Sequence, residues 1–159
     1  MKKIIETERL YLRQWQASDF AVFAVINADP EVMKYFPKLL STAVSNAIAH
    51  KCQQLIIDKG WGLWAVSLKD GLKENGDFIG FVGLNDTHAD MSFAPAVEIA
   101  WRLHKDYWGQ GYATEAARAA LNFAFTELSL DEVVSFTAVI NKRSQQVMER
   151  IGMINTQAN

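Results

Sequence analysis

Residues 97–128 read VEIAWRLHKDYWGQGYATEAARAALNFAFTEL. Val97 to Leu103 is rich in β-branched, aromatic and long apolar side chains, and predicts a strand. A short loop holding Tyr107, Trp108 and Gly109-Gln110-Gly111 follows, and an alanine-rich helix is expected to begin near Tyr112. Strand, glycine turn and helix together make a place for a phosphate. The first four amides of a helix have no partner within it and lie at the positive end of its dipole. Glycine lets the backbone turn tightly and lets an anion come close. The loop thus offers the amides of Gly109, Gln110, Gly111, Tyr112, Ala113 and Thr114.

Two well-known phosphate loops do not fit. A nucleoside-triphosphate loop needs Lys and then Ser or Thr after its last glycine, where this chain has Tyr112-Ala113. A dinucleotide fingerprint needs a third small residue at Thr114 and an acidic residue at the end of a following strand, and neither is in place. Taken alone, the glycine pair is explained by a plain turn between a strand and a helix.

The flanking sequence predicts a single folded domain over residues 1–159. Half of the residues are apolar and the formal net charge is -2, which gives no overall electrostatic footprint for nucleic acid. No apolar run approaches membrane-spanning length, and Lys2-Lys3 is followed by too short an apolar stretch for a signal peptide. Cys52 is the only cysteine, so no internal disulfide forms, and a cytoplasmic location is expected. His88 and Asp90 fall in a polar stretch, Asp86 to Pro95, without further ligands at metal spacing, so no metal site is expected.

Glu6 to Trp15 alternates as a first strand with Leu10 and Leu12 inward. Ser18-Asp19 starts a helix carrying Phe20, Phe23, Ala24 and Asn27 at helical spacing, and Asp29-Pro30 ends it. Residues 42–58 predict a second helix whose buried face holds Ala43, Ala47, Ile48, Cys52, Leu55 and Ile56. Gly60 to Leu68 and Asp77 to Leu84 predict an antiparallel hairpin across the polar turn 69–76. Gly80 and Gly83 within the second of these strands signal a bulge or a close approach of backbone or ligand. Asp131 to Ile140 predicts a further strand. Asn141-Lys142-Arg143-Ser144 opens a last helix with Val147, Met148 and Ile151 on its apolar stripe and Gly152 as its C-terminal cap.

The string YWGQGYATEA at 107–116 resembles the pyrophosphate-binding turn of the GNAT family of N-acetyltransferases. Within that family it is similar to the branch that acetylates ribosomal-protein N-termini. Gly111 and Ala113 match the last two places of the family signature, while Trp108 stands where Gln or Arg is usual. ETERLYLR at 6–13, DPEVMKYF at 29–36 and the stretch from Asn141 to Met153 resemble the same branch, so the likeness spans nearly the whole chain. It implies an α/β (α+β) fold with a mixed, mostly antiparallel central sheet flanked by helices, and acetyl-coenzyme A as the acetyl donor. It also implies that the backbone of Trp101, Arg102 and Leu103 pairs with the pantetheine arm and that Asn141 contacts it. Residues 31–40 either line the acceptor side or cover the sheet with Met33, Tyr35 and Phe36. After Gly152-Met153 the family continues with two strands, whereas Ile154 to Asn159 suffices for one at most. By that reading the chain is shortened, and donor binding survives better than acceptor recognition. An open sheet edge invites pairing, and a homodimer is one way to cover it.

Amide formation sets the remaining expectations. Only a neutral amine attacks a thioester, so a carboxylate on the central strand is a candidate base. Val97, Ile99, Trp101 and Leu103 share one face of that strand, which places Glu98, Ala100 and Arg102 on the other. Glu98 is the candidate base, and a plain ion pair with Arg102 is the alternative. Ser144 is the family-matching position for a hydrogen bond to the departing sulfur, although a serine in a first helical turn is common without function. Asn141 also suits a simple N-cap, and Glu115 is explained by the helix dipole. The expected function is acetyl-coenzyme A-dependent N-acetylation of a primary amine, either a protein N-terminus or a small molecule such as a polyamine or aminoglycoside. Its rivals are a non-catalytic acyl-coenzyme A-binding or interaction protein and a plain nucleotide-binding βα protein.

Overall fold

The structure is a computed structural model and describes residues 5–69, 77–86, 97–135 and 141–153. Its core element is a five-stranded antiparallel sheet in sequential order: β1 (Ile5–Glu6), β2 (Leu10–Arg13), β3 (Leu63–Leu68), β4 (Asp77–Asp86) and β5 (Val97–Leu103). Among the described residues four helices flank it: α1 (Asp19–Asn27), α2 (Thr42–Lys59), α3 (Tyr112–Thr126) and α4 (Lys142–Arg150). The far edge of β5 carries one parallel bridge, Glu98 to Val134, so the sheet is mixed and mostly antiparallel, as expected. Residues 136–140, the rest of the strand expected over Asp131 to Ile140, lie outside the described residues. So do the turn 70–76, His88 and Asp90, and the terminal stretch 154–159.

The first strand breaks in two at residues 7–9, and Leu10 and Leu12 point inward with no exposed surface. The helix start at Ser18 differs from expectation. Ser18 makes no capping bond; Asp19 accepts from the Gln16 amide at 2.8 Å instead. Asp19 also takes a two-pronged bond from Arg13, at 2.8 and 3.0 Å, and Arg13 donates further to Ser67 and to the Gln14 carbonyl. This buried pair satisfies nearly all its polar atoms and clamps the start of α1 to the sheet.

The buried stripe of α2 is Ser45, Ala49, Cys52 and Ile56, rotated from the expected face, and Ala43 and Ala47 are exposed. The cause is polar. Asn27, wholly buried at the end of α1, donates to Ser45 Oγ at 2.9 Å and draws that serine inward. Apolar periodicity alone does not register such a pair.

A β-bulge governs the core. Val66 opposes Gly80 and Ser67 opposes Phe78, which leaves Ile79 as the extra residue in β4. Three residues apart, Phe78 and Phe81 would face opposite sides of a regular strand. The bulge brings both to the α1 side, where Trp15 packs on Phe78 (ring centroids 5.4 Å) and Phe23 bridges Trp15 and Phe81 (5.0 and 5.9 Å). On the opposite face Trp64 meets Phe123 of α3 edge-on at 5.1 Å. Gly83 is required by close approach: a Cβ there would stand 2.1 Å from the Gly62 carbonyl oxygen. Among the described residues no helix is long and apolar enough to cross a membrane.

Candidate active site

The candidate site lies where β5 runs into α3. Backbone groups alternate in direction along a strand. The Ile99 amide donates to Val134 O at 2.8 Å, away from β4, and the His104 amide donates to Ile79 O at 2.8 Å, toward β4. Odd-numbered residues of β5 therefore turn their peptide groups outward. Trp101 and Leu103 are in this set, and the Leu103 carbonyl already accepts from Trp108 Nε1 at 3.1 Å. Arg102 does not fit its expected backbone role. Its register partner is Phe81, and its peptide points into the sheet.

After β5 the chain makes a short 3-10 turn over Lys105–Tyr107, where His104 Nδ1 accepts from the Asp106 amide at 3.1 Å. Gly109 (φ 75°) and Gly111 (φ 83°) then both adopt the left-handed conformation that favours glycine. Gly111 is the N-cap of α3 and has no side chain to cap with. The first bond of the helix runs from the Glu115 amide to Gly111 O, so the amides of Tyr112, Ala113 and Thr114 precede the intrahelical ladder without a side-chain cap. These are the donors an anionic group needs at a helix N-terminus, and the residues present fit the diphosphate of a coenzyme A.

Three side chains hold this loop, two of them not singled out from the sequence. Glu115 accepts from Thr7 Oγ1 at 2.5 Å, from the Arg9 amide at 2.9 Å and from Arg9 Nε at 2.7 Å. Arg9 donates onward to the Gln110 carbonyl at 3.0 Å and lies over the Tyr112 ring at 4.3 Å. Burial pushes the Glu115 carboxyl up, but the hydrogen bonds from Thr7 and Arg9 and the Arg9 charge outweigh it and leave it below its usual 4.5. Glu115 thus does more than complement the helix dipole. No local pattern links Arg9 to Glu115, 106 positions apart. The only trace in sequence is that both lie in stretches similar to the same branch.

On the other side, the Arg143 guanidinium stacks on Trp108 at 3.7 Å, which places the start of α4 against the loop. Asn141 is the N-cap of α4: its Oδ1 accepts from the Ser144 amide at 3.2 Å. Ser144 is half-buried. The structure sets Gly109, Gln110, Gly111, Tyr112, Ala113 and Thr114 in the turn after β5, and Asn141 and Ser144 at the head of α4, whose Arg143 stacks on Trp108 of that turn. Glu98 lies apart, at the Val134 bridge, about 16 Å up the strand from Leu103. By alternation its side chain shares the α1 face with Arg102, whose guanidinium reaches Asn27 Oδ1 at 2.8 Å.

Comparison with known proteins bears on the family and the fold. The acetyltransferase (GNAT) domain family matches residues 9–154. The uncharacterized protein YkkB of Bacillus subtilis (strain 168) is 31% identical over 153 residues, covering 96% of this chain and 86% of that protein. An acetyltransferase from Agrobacterium tumefaciens str. C58 superposes with a TM-score of 0.80 at 29% identity, covering 94% of this chain and 82% of that one. RimL, a ribosomal L7/L12 alpha-N-protein acetyltransferase solved with coenzyme A, shares the fold with a TM-score of 0.73 at 16% identity. It covers 94% of this chain and 83% of that one.

Proposed function

The chain belongs to the acetyltransferase (GNAT) family, and from that membership we propose that it transfers an acetyl group from acetyl-coenzyme A to a primary amine. The observation that carries this reading is the junction of β5 and α3. Two left-handed glycines there leave a helix N-terminus uncapped, beside outward-turned peptides of Trp101 and Leu103.

Acetyl-coenzyme A supplies the acetyl group as an activated thioester. The amides of Tyr112, Ala113 and Thr114, with Gly109, Gln110 and Gly111 shaping the turn, hold its diphosphate. The peptides of Trp101 and Leu103 pair with the pantetheine amides as one strand pairs with another. Asn141 supports that arm from its place at the head of α4. Glu98 takes the proton of the attacking amine, directly or through water. The outward Trp101 amide supports charge developing on the carbonyl oxygen. Ser144 donates a hydrogen bond to the departing sulfur; a hydroxyl is too weak an acid to do more.

The acceptor is a neutral amine at the moment of attack. A chain N-terminus, with a pKa of about 7.7–8.0, needs far less help than a lysine at about 10.4. We therefore place a protein or peptide N-terminus ahead of a small-molecule amine. The unpaired, buried Cys52 suits a reducing, cytoplasmic setting.

Calorimetric titration with acetyl-coenzyme A tests the reading. One-site binding is expected, and Gly111→Val should abolish it, because a β-branched residue resists φ 83° and its Cβ would stand 3.3 Å from Arg9 Nη2. Unaltered affinity in that variant would sink the cradle. Glu98→Gln should lower the rate and remove the lower limb of its pH profile; an unchanged profile would rule out Glu98 as base.

A further inference from the structure

Arg102 is a half-buried cation with no counter-ion among the described residues. Its guanidinium lies between the rings of Phe36 (4.6 Å) and Phe81 (5.3 Å). Nη1 donates to Asn27 Oδ1, and Asn27 is itself fixed by its bond to Ser45. Nε is buried and has no hydrogen-bond partner among the described residues. Among the described residues none of the ion pairs involves Arg102. The C-terminal end of α1, at Asn27, offers about half a negative charge, less than a full ion needs. Burial lowers the pKa of Arg102 to about 10, so it stays charged at neutral pH.

A strut between β5 and α1 would use the Nη1 edge alone. The edge left over is the one formed by Nε and Nη2, the side-on fork that matches the two oxygens of a carboxylate. Buried donors are nearly always paired in native proteins, so a stranded Nε calls for a partner. Position supplies the rest. Arg102 and Glu98 share a face of β5, four residues and about 13 Å apart along the strand. Phe36, exposed in the turn after α1, forms the outer wall over the guanidinium.

We propose that Arg102 receives a carboxylate of the acceptor, which makes the acceptor an extended amine of peptide length whose amino group lies at Glu98 and whose acid lies at Arg102. An extended tripeptide spans about 10 Å, and the two side chains cover the remainder. The proposal rests on the acetyltransferase reading for the identity of the bound molecule as acceptor.

The test uses trialanine and trialanine amide, which differ only in the carboxylate. Proton–nitrogen spectra of the arginine Nε–H groups are recorded during titration with each peptide, with and without coenzyme A. Arg102→Lys identifies the Arg102 signal by its loss. Trialanine should move that signal saturably, and the amide should bind at least tenfold more weakly. Asn27→Asp, which places a carboxylate beside Nη1, should weaken trialanine binding about tenfold in a folded protein. An equal response to both peptides, or no response of the Arg102 signal, overturns the proposal. Acetyl transfer is followed separately as thiol release. A carboxylate response without transfer to any amine keeps the site and removes the acetyltransferase reading. Transfer to both peptides with equal kcat/KM keeps that reading and removes the site.

Discussion

Replacing Glu115 by alanine should loosen the loop between β5 and α3 and destabilise the whole chain. The side chain accepts three hydrogen bonds, and each tethers β2 or its approach to the first turn of α3. Bonds to an ionised group contribute about 1.5–3 kcal/mol each in full burial. Glu115 is 18% exposed and Arg9 38%, so the ionic contact is discounted to about 0.5 kcal/mol. The Thr7 hydroxyl and the Arg9 amide count at the low end of the range. The sum is about 3.5 kcal/mol, which for a chain of this length lowers Tm by about 7–14 °C. The effect should also depend on pH. The folded-state pKa of Glu115 is depressed, so its contribution is present above the ordinary value of 4.5 and is lost as pH falls through the folded value. Calorimetric melting of both proteins at pH 7 and below pH 4 reads this directly: the gap in Tm is wide at neutral pH and narrows in acid. Because Arg9 also holds the Gln110 carbonyl, acetyl-coenzyme A affinity should fall about tenfold, roughly 1.4 kcal/mol. A gap that is small at pH 7, or as wide in acid as at neutrality, would refute the assignment of this carboxylate as the loop's anchor.

Gly83→Ala should fold poorly or melt far below the parent in thermal unfolding, since its Cβ would meet the Gly62 carbonyl oxygen, just before β3, at 2.1 Å and no side chain can yield there. Asp19→Ala leaves Arg13 buried without its partner and should cost about 3–5 kcal/mol in urea unfolding; a loss under 1 kcal/mol would mean that Arg13 finds another partner. Cys52 is 3% exposed and burial pushes its thiol up to about 11, so alkylation at pH 8 should proceed only on unfolding; rapid labelling of the native chain would contradict the packing of α2.

Local physics wrote much of this fold into the sequence. The alternation in Leu10–Arg13, the run from Val97 to Leu103 and the glycine pair before Tyr112 each specify their own conformation within a few residues, and the structure forms them there. Gly80 and Gly83 signalled a bulge or close approach, and both occur. The conformation of the β5–α3 turn is legible for the same reason, since left-handed glycines and uncapped amides are properties of a short segment.

Tertiary structure decided the rest, because those features pair residues far apart in the chain. The rotation of α2 follows from Asn27 reaching Ser45. The inward turn of the Arg102 peptide follows from its register against Phe81, and its guanidinium lies among Asn27, Phe36 and Phe81 from three separate segments. Arg9 and Glu115 are ordinary charges in their own stretches and become the anchor of the loop only when β2 lies beside α3. Backbone conformation is set by neighbours in sequence, and the sequence discloses it. The partner of a charge is set by packing, and only the folded chain names it.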